Sequence, residues 1–347
     1  VSEKPGKKVY SNTMKFLHVK ENSYYDVGKQ IGIATKELHR EFYNRFVPEL
    51  PWEHLIRDSL PYLEITQKYF PHLIEEMKGL ANGIEMPFER VWAFNCRDEI
   101  ITSFTEKCSS VFVKTSSGWV VGHNEDDFWR GFQSGEMRSY YFMISKTISG
   151  NNMTYLACPF MLGGETVSIN SSGIIQTINT LHHSNTQIGV PKNIIARAVA
   201  EADSIESVQV IFNTIKRASG YCHTLLIKNN LYCIESNAQQ FEFIQTSDRF
   251  VHTNHYLGSL SLFEDNSEKN ITIQRCFAIK DAISFVNTVD ELKKVLQCNT
   301  RSKDSIYREG DDAVTMATTI INPDEKVIRI ANENKGEKTD WLVIPTP

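Results

Sequence analysis

The chain has 347 residues, 41% hydrophobic and 23% charged, with a formal net charge of −5. That composition belongs to a globular protein able to bury a sizeable core, and its charge gives no basis for binding nucleic acid or an anionic membrane. No apolar run is long enough to span a bilayer, and the seven dispersed cysteines contain no CxxC pair.

The odd cysteine count favours reduced thiols and a cytoplasmic setting, with a secreted or periplasmic chain that has lost a leader as the alternative. Asn152, Asn170 and Asn270 head glycosylation tripeptides of the kind that arise by chance.

Residues 1–13 are polar and lysine-rich and read as a frayed terminus. From Ser23 to Gly83 apolar residues recur at helical spacing, notably over 25–46 and 69–84, with prolines between. Residues 88–100 read as a further short helix. After Cys108 the texture changes to β-branched and aromatic runs over 110–115, 118–124, 139–145, 153–160, 166–179, 223–236 and 241–254. Helical pieces interrupt them over 193–202, 204–219, 274–283 and 288–297, and a strand pair turning on Asn-Pro-Asp occupies 314–332. Helices followed by many hairpin-connected strands predict an α+β layered domain with antiparallel sheets.

The segment KCSSVFVKTSSGWVVGHNEDDFW (107–129) reads as a hairpin with a thiol at the start of one strand and acids at the end of the other. With the turn centred near Ser117, Cys108 falls opposite Asp126, and a one-residue shift brings Glu125 or Asp127 across instead. The bland reading is a core cysteine beside solvated acids. A carboxylate alone disfavours a thiolate, so the pairing makes chemical sense when a cation shares the site. Cleavage between Lys107 and Cys108 would supply one. The freed α-amine, with a pKa of about 8, could take the thiol proton, and Asp126 would orient the ammonium.

These residues resemble the acyl-coenzyme A:6-aminopenicillanic acid acyltransferase family of N-terminal-nucleophile hydrolases and, more distantly, choloylglycine hydrolases and penicillin V acylases. The likeness runs from about Tyr25 onward. It rests on GLANGI and FNCRDEI before the thiol, CSSVFV and GHNED around it, and SINSSGIIQTINTL, VHTNHYL and ITIQRCF after it. The resemblance implies a four-layer α/β/β/α sandwich forming one domain. Residues 1–107 would be a helix-rich propeptide or small chain, and 108–347 the catalytic chain.

It also implies Cys108 as nucleophile, Asp126 as its aspartate, Asn254 in the oxyanion hole, and Asn179 and Arg275 as positioning groups. Lys107 stands where the acyltransferases carry glycine. His123 stands where bile-salt hydrolases carry arginine, which argues against a bile-acid carboxylate reader at that spot.

Each candidate also has a structural reading. Asn254 could cap a turn, Asn179 could bond backbone, and Arg275 could be a surface residue. Arg97 and Glu99 are expected to form a structural ion pair with Asp98 nearby. Cys96, Cys158, Cys222, Cys233, Cys276 and Cys298 read as core. His252 and His255 should point to opposite faces of a strand, His182 and His183 are adjacent, and no cysteine or acid completes a zinc spacing.

The expected function is therefore a self-processing thiol amidohydrolase or acyltransferase acting on a linear N-acyl or amino-acyl amine, without metal or cofactor. Its partner is a small-molecule amide, and a homo-oligomer is compatible with the sequence. The alternatives are an unprocessed ligand-binding member of the same fold and a histidine-based metal hydrolase.

Overall fold

Apolar residues at helical spacing put most of the first hundred residues into α1 (Tyr24–Phe46), α2 (Trp52–Tyr69), α3 (Pro71–Gly83), α4 (Phe88–Asn95) and α5 (Arg97–Ile100). The computed structural model describes residues 14–46, 50–101, 107–127, 136–184, 186–265, 267, 269–310 and 313–347. The expected frayed terminus at 1–13 lies outside them. The helix expected over 88–100 is broken at Cys96, the residue between α4 and α5. Helices α1 and α3 meet backbone to backbone at glycines. A Cβ on Gly28 would lie 1.9 Å from the Glu76 carbonyl oxygen, and one on Gly79 would lie 2.0 Å from that of Tyr25.

A strand that the sequence reading missed, β1 (Lys15–Glu21), precedes these helices. The rest follow as β2 (Lys107–Thr115), β3 (Gly118–Asp127), β4 (Phe142–Ile148), β5 (Asn151–Ala157), β6 (Val167–Asn170), β7 (Ile174–Thr180), β8 (Tyr221–Ile227), β9 (Asn230–Ser236), β10 (Phe241–Ile244) and β11 (Arg249–His252). The chain closes with β12 (Val314–Asn322), β13 (Val327–Ala331) and a second missed strand, β14 (Leu342–Pro345). Between strands lie α6 (Lys192–Ala200), α7 (Ile205–Thr214), α8 (Lys269–Ile283) and α9 (Val289–Leu296).

Two sheets result, an eight-stranded one in the order β1-β4-β5-β6-β7-β8-β9-β10 and a six-stranded one in the order β11-β2-β3-β12-β13-β14. All pairings are antiparallel except β1 with β4. The fold is thus α+β. Because β1 joins β4, residues before Cys108 share a sheet with residues after it.

Strand alternation fixes which side chains meet. Val111 and Val113 of β2, with Val120 of β3, pack with Ile279 and Ile283 of α8 and Leu292 and Leu296 of α9. Phe112, Trp119 and Val121 belong instead to the main core shared with the eight-stranded sheet. With a period of two, Cys108 and Ser110 therefore share the inner face with His123, Glu125 and Asp127, while Asn124 and Asp126 lie on the α8/α9 side. Contact between β2 and β7 brings the two sheets together behind Cys108.

Candidate active site

The hairpin turn decides the site. Thr115 pairs with Gly118, leaving Ser116 and Ser117 as the turn, and Thr115 Oγ1 accepts from the Ser117 N–H and donates to the Gly118 carbonyl. The centre therefore falls half a residue before Ser117. Cys108 is opposite Glu125, and Asp126 is opposite Lys107. The expected Cys108–Asp126 pairing is corrected by that half-residue, which also places the Asp126 side chain on the other face of the sheet.

The Cys108 thiol is buried and donates to Glu125 Oε2 at 3.6 Å. Glu125 Oε2 lies 3.2 Å from His123 Nε2, and Ser110 Oγ lies 3.2 Å from His123 Nδ1 and 2.7 Å from Asn179 Oδ1. Burial lowers the imidazole pKa to about 3, so the ring is neutral. If Ser110 donates to Asn179 Oδ1, Asn179 Nδ2 is buried without a partner among the described residues. Turning the amide over leaves an unpaired carbonyl oxygen in its place, the cheaper deficit. Asn179 then donates to Ser110, Ser110 to Nδ1, and Nε2–H to the Glu125 carboxylate. We read the network in that sense.

The main chain of Cys108 is held separately. Its N–H donates to Asn254 Oδ1 at 2.9 Å, and its carbonyl accepts from Arg275 Nη2 at 3.3 Å. Arg275 Nη2 also donates to Asn254 Oδ1 at 2.6 Å, and Asn254 Nδ2 donates to the Thr180 carbonyl at 3.1 Å. The structure thus brings Asn254 and Arg275 directly onto Cys108 and reaches Asn179 through Ser110. Arg275 is buried on α8 rather than at the surface, and burial lowers its pKa.

Asp126 sits behind this arrangement. Its Oδ1 accepts from Thr315 Oγ1 at 2.6 Å, beside a β-bulge where β12 slips against β3 between Thr315 and Ala317. Burial pushes the carboxyl up to about 6 against the opposing pull of Arg275, Arg308 and Lys107.

Three other expectations need correction. Arg97 pairs with Asp98 (Nε to Oδ1, 3.5 Å) rather than with Glu99. Glu99 Oε1 instead accepts from the Lys192 N–H at 2.8 Å and Ser219 Oγ at 2.6 Å. His252 and His255 do not point apart, because His255 lies past the end of β11; their rings stack with centroids 6.4 Å apart. Of the six cysteines read as core, Cys298 is exposed and Cys158 is half-buried beside the Cys108 cavity. All seven are free thiols.

Among the described residues, two groups of side chains could hold a metal ion. They are Cys108, His123 and Glu125, and Cys222, Cys233 and His252, each with ligand atoms within 4.8 Å of one another. The second set is drawn from three strands, so sequence spacing could not reveal it. His252 is already engaged there, with Nε2 2.8 Å from Glu235 Oε1 and Nδ1 2.6 Å from the Thr253 carbonyl.

Fold and site together define the class: a two-sheet α+β protein organised around a buried cysteine at a strand start. The acyl-coenzyme A:6-aminopenicillanic acid acyltransferase family model matches residues 113–337, well over half of the chain. The chain belongs to that family. It is also similar to a β-alanyl-dopamine/carcinine hydrolase of Drosophila melanogaster, with 24% identity over 170 residues. That match covers 43% of this chain and 42% of the relative, so it spans less than half of the relative's length.

Proposed function

We propose that the chain is a self-processing thiol amidohydrolase or acyltransferase of the N-terminal-nucleophile type, with the two sheets as the inner layers of an α/β/β/α sandwich. Its substrate is a linear N-acyl or amino-acyl amine. The observation that carries this reading is the convergence on Cys108: Asn254 on its nitrogen, Arg275 on its carbonyl, and Glu125 on its thiol.

In self-cleavage, Sγ attacks the Lys107 carbonyl carbon. A C–S bond forms and the Lys107–Cys108 C–N bond breaks. The thiol proton passes through Glu125 to the departing nitrogen, which becomes the Cys108 amine. Water then hydrolyses the thioester, leaving a Lys107 carboxylate and a free thiol. Until that bond is cut, the Cys108 nitrogen is an amide and cannot serve as a base. Glu125, within reach of Sγ, fills the role for this first step.

In turnover, Sγ attacks the substrate carbonyl with the Cys108 amine as base, the substrate amine leaves with a proton, and water or a second amine takes the acyl group. Asn254 would donate Nδ2 to the oxyanion after giving up its bond to Thr180. The name of the Drosophila relative, a β-alanyl-dopamine/carcinine hydrolase, supports the hydrolase reading.

The direct test is mass analysis of protein quenched in acid during turnover of a simple acyl amide. An acyl adduct on a peptide beginning at Cys108 is expected. Turnover with the adduct elsewhere, or none in a Cys108-independent reaction, would remove the assignment.

A further inference from the structure

The thiol faces a narrow cavity of about 10 Å³, room for about one water. Its wall is part apolar, with Phe42, Phe94 and Met161, and part charged, with Arg97, Glu125, Asp127 and Glu165. Glu165 is only 9% exposed, and its Oε1 is buried without a hydrogen-bond partner among the described residues. Native interiors rarely leave a buried carboxylate oxygen unmatched, and where they do a ligand is a physical reason to look for.

The loop that carries Glu165 is built to hold it there. Gly163 and Gly164 take positive φ values of 82° and 98°, turning the chain between β5 and β6. Arg197 Nη1 donates to the carbonyls of Leu162 (2.7 Å) and Gly163 (3.2 Å), and Gln176 Nε2 donates to that of Gly164 (3.0 Å). Asn95 grips the same loop, with Nδ2 on the Phe160 carbonyl at 2.8 Å and Oδ1 accepting from the Leu162 N–H at 3.0 Å. Three buried side chains with five hydrogen bonds make Glu165 a fixed rather than an adaptable group. Burial also pushes its carboxyl up to about 7 against the opposing pull of Arg97 and Arg197, and an ammonium entering the cavity would favour its ionised form further.

We propose that Glu165 is the ammonium-binding residue of the Cys108 cavity, and that the acyl group this protein accepts bears a primary amine. The acyl group stays bonded to sulfur while the amine product leaves and water enters, so it must occupy and widen the cavity at the thiol. A short amino-acyl chain puts its ammonium against Glu165 while its carbonyl faces Sγ. This deepens the amide-hydrolase reading and rests on it for the chemistry, though not for the binding.

The test uses β-alanine benzylamide and butyric acid benzylamide, which differ in an ammonium against a methyl group. Dissociation constants are measured by calorimetry on C108A, which cannot turn them over, and kcat/KM on the wild type. The β-alanyl ligand should bind roughly 10- to 100-fold more tightly, as expected for a charge-assisted hydrogen bond. The ratio should fall to near one when E165Q is added, with E165A taking its place where E165Q yields no folded protein. Equal binding of the two amides, or a preference that survives both Glu165 variants, would overturn the proposal. Selective binding to C108A without turnover by the wild type would count against the hydrolase reading while supporting the ammonium site.

Discussion

Replacing Glu125 by glutamine separates two neighbouring carboxylates that only the register distinguishes. Gln keeps the volume and can still pair with His123, but it cannot take a proton from Sγ, which lies 3.6 Å from Glu125 Oε2. Losing a positioned general base typically costs about 10²- to 10⁴-fold in rate, or about 3–5 kcal/mol of activation free energy. Self-cleavage of E125Q should slow by that factor. Asp126 faces the α8/α9 side, with Oδ1 engaged by Thr315, so D126N should affect cleavage through the charges of Arg275 and Lys107 and slow it less. The assay is refolding of each variant from denaturant, with the cut fraction followed by intact mass over hours. Cleavage of E125Q at the wild-type rate, with D126N stalled, would refute the argument from strand register.

The remaining predictions concern turnover and stability. N254A removes hydrogen bonds to the Cys108 N–H, Arg275 and the Thr180 carbonyl and should lower stability. In the folded protein acylation should fall roughly 100-fold or more, as for a lost oxyanion donor; a stopped-flow acylation rate equal to wild type would clear Asn254 of that role. Glu76, Lys146, Arg197 and Glu201 form a buried network of two acids and two bases, in which Arg197 Nη2 reaches both Glu76 oxygens at 2.6 and 2.8 Å. Because R197M leaves Glu76 with one partner fewer, it should cost about 3–5 kcal/mol in urea unfolding, and a loss below 1 kcal/mol would contradict the network's role.

Glu99 and Glu165 are pushed by burial up to about 7 and Asp126 to about 6, so the folded chain holds their protons after the unfolded chain has released them. The contribution of each of these carboxyls to stability should therefore fall as pH rises from about 4.5 to 7, by at most about 1.4 kcal/mol per pH unit. For Glu201, burial is outweighed by Lys146 and Arg197, which hold its carboxyl down to about 2, so its contribution is full above about 4.5 and is lost as pH falls towards 2. The buried His39, His123, His223 and His255, whose pKa values burial lowers to about 3–4, pull the other way between about pH 5 and 6.5. The check on the first claim is therefore a difference: E165Q should cost less stability at pH 7.5 than at pH 5, and an equal or larger cost at pH 7.5 would contradict it.

Much of this architecture was legible because its signals are local. Turn residues and β-branched runs marked the β6–β7, β8–β9 and β12–β13 hairpins, and helical spacing marked α1, α3, α6 and α9. Strand β1 escaped because its charged, mostly exposed KFLHVKE sequence has the look of a terminus, and only pairing with β4 makes it a strand. At the site, Cys108, Asn254 and Arg275 could be picked out by residue type and order. Glu125 against Asp126 could not, since a half-residue change in turn centre exchanges them. Glu165 gave no signal at all. Its significance comes from a loop folded back onto a cavity whose other walls lie as far away in sequence as Phe42 and Thr180.

The central claim is that Cys108 becomes its own base by freeing its amine. Denaturing intact-mass analysis of the purified wild type and of C108A tests it most directly. The account predicts two fragments meeting at the Lys107–Cys108 bond in the wild type and a single uncut chain in C108A. An uncut wild type that still hydrolyses amides, or a C108A chain cut at the same bond, would contradict it.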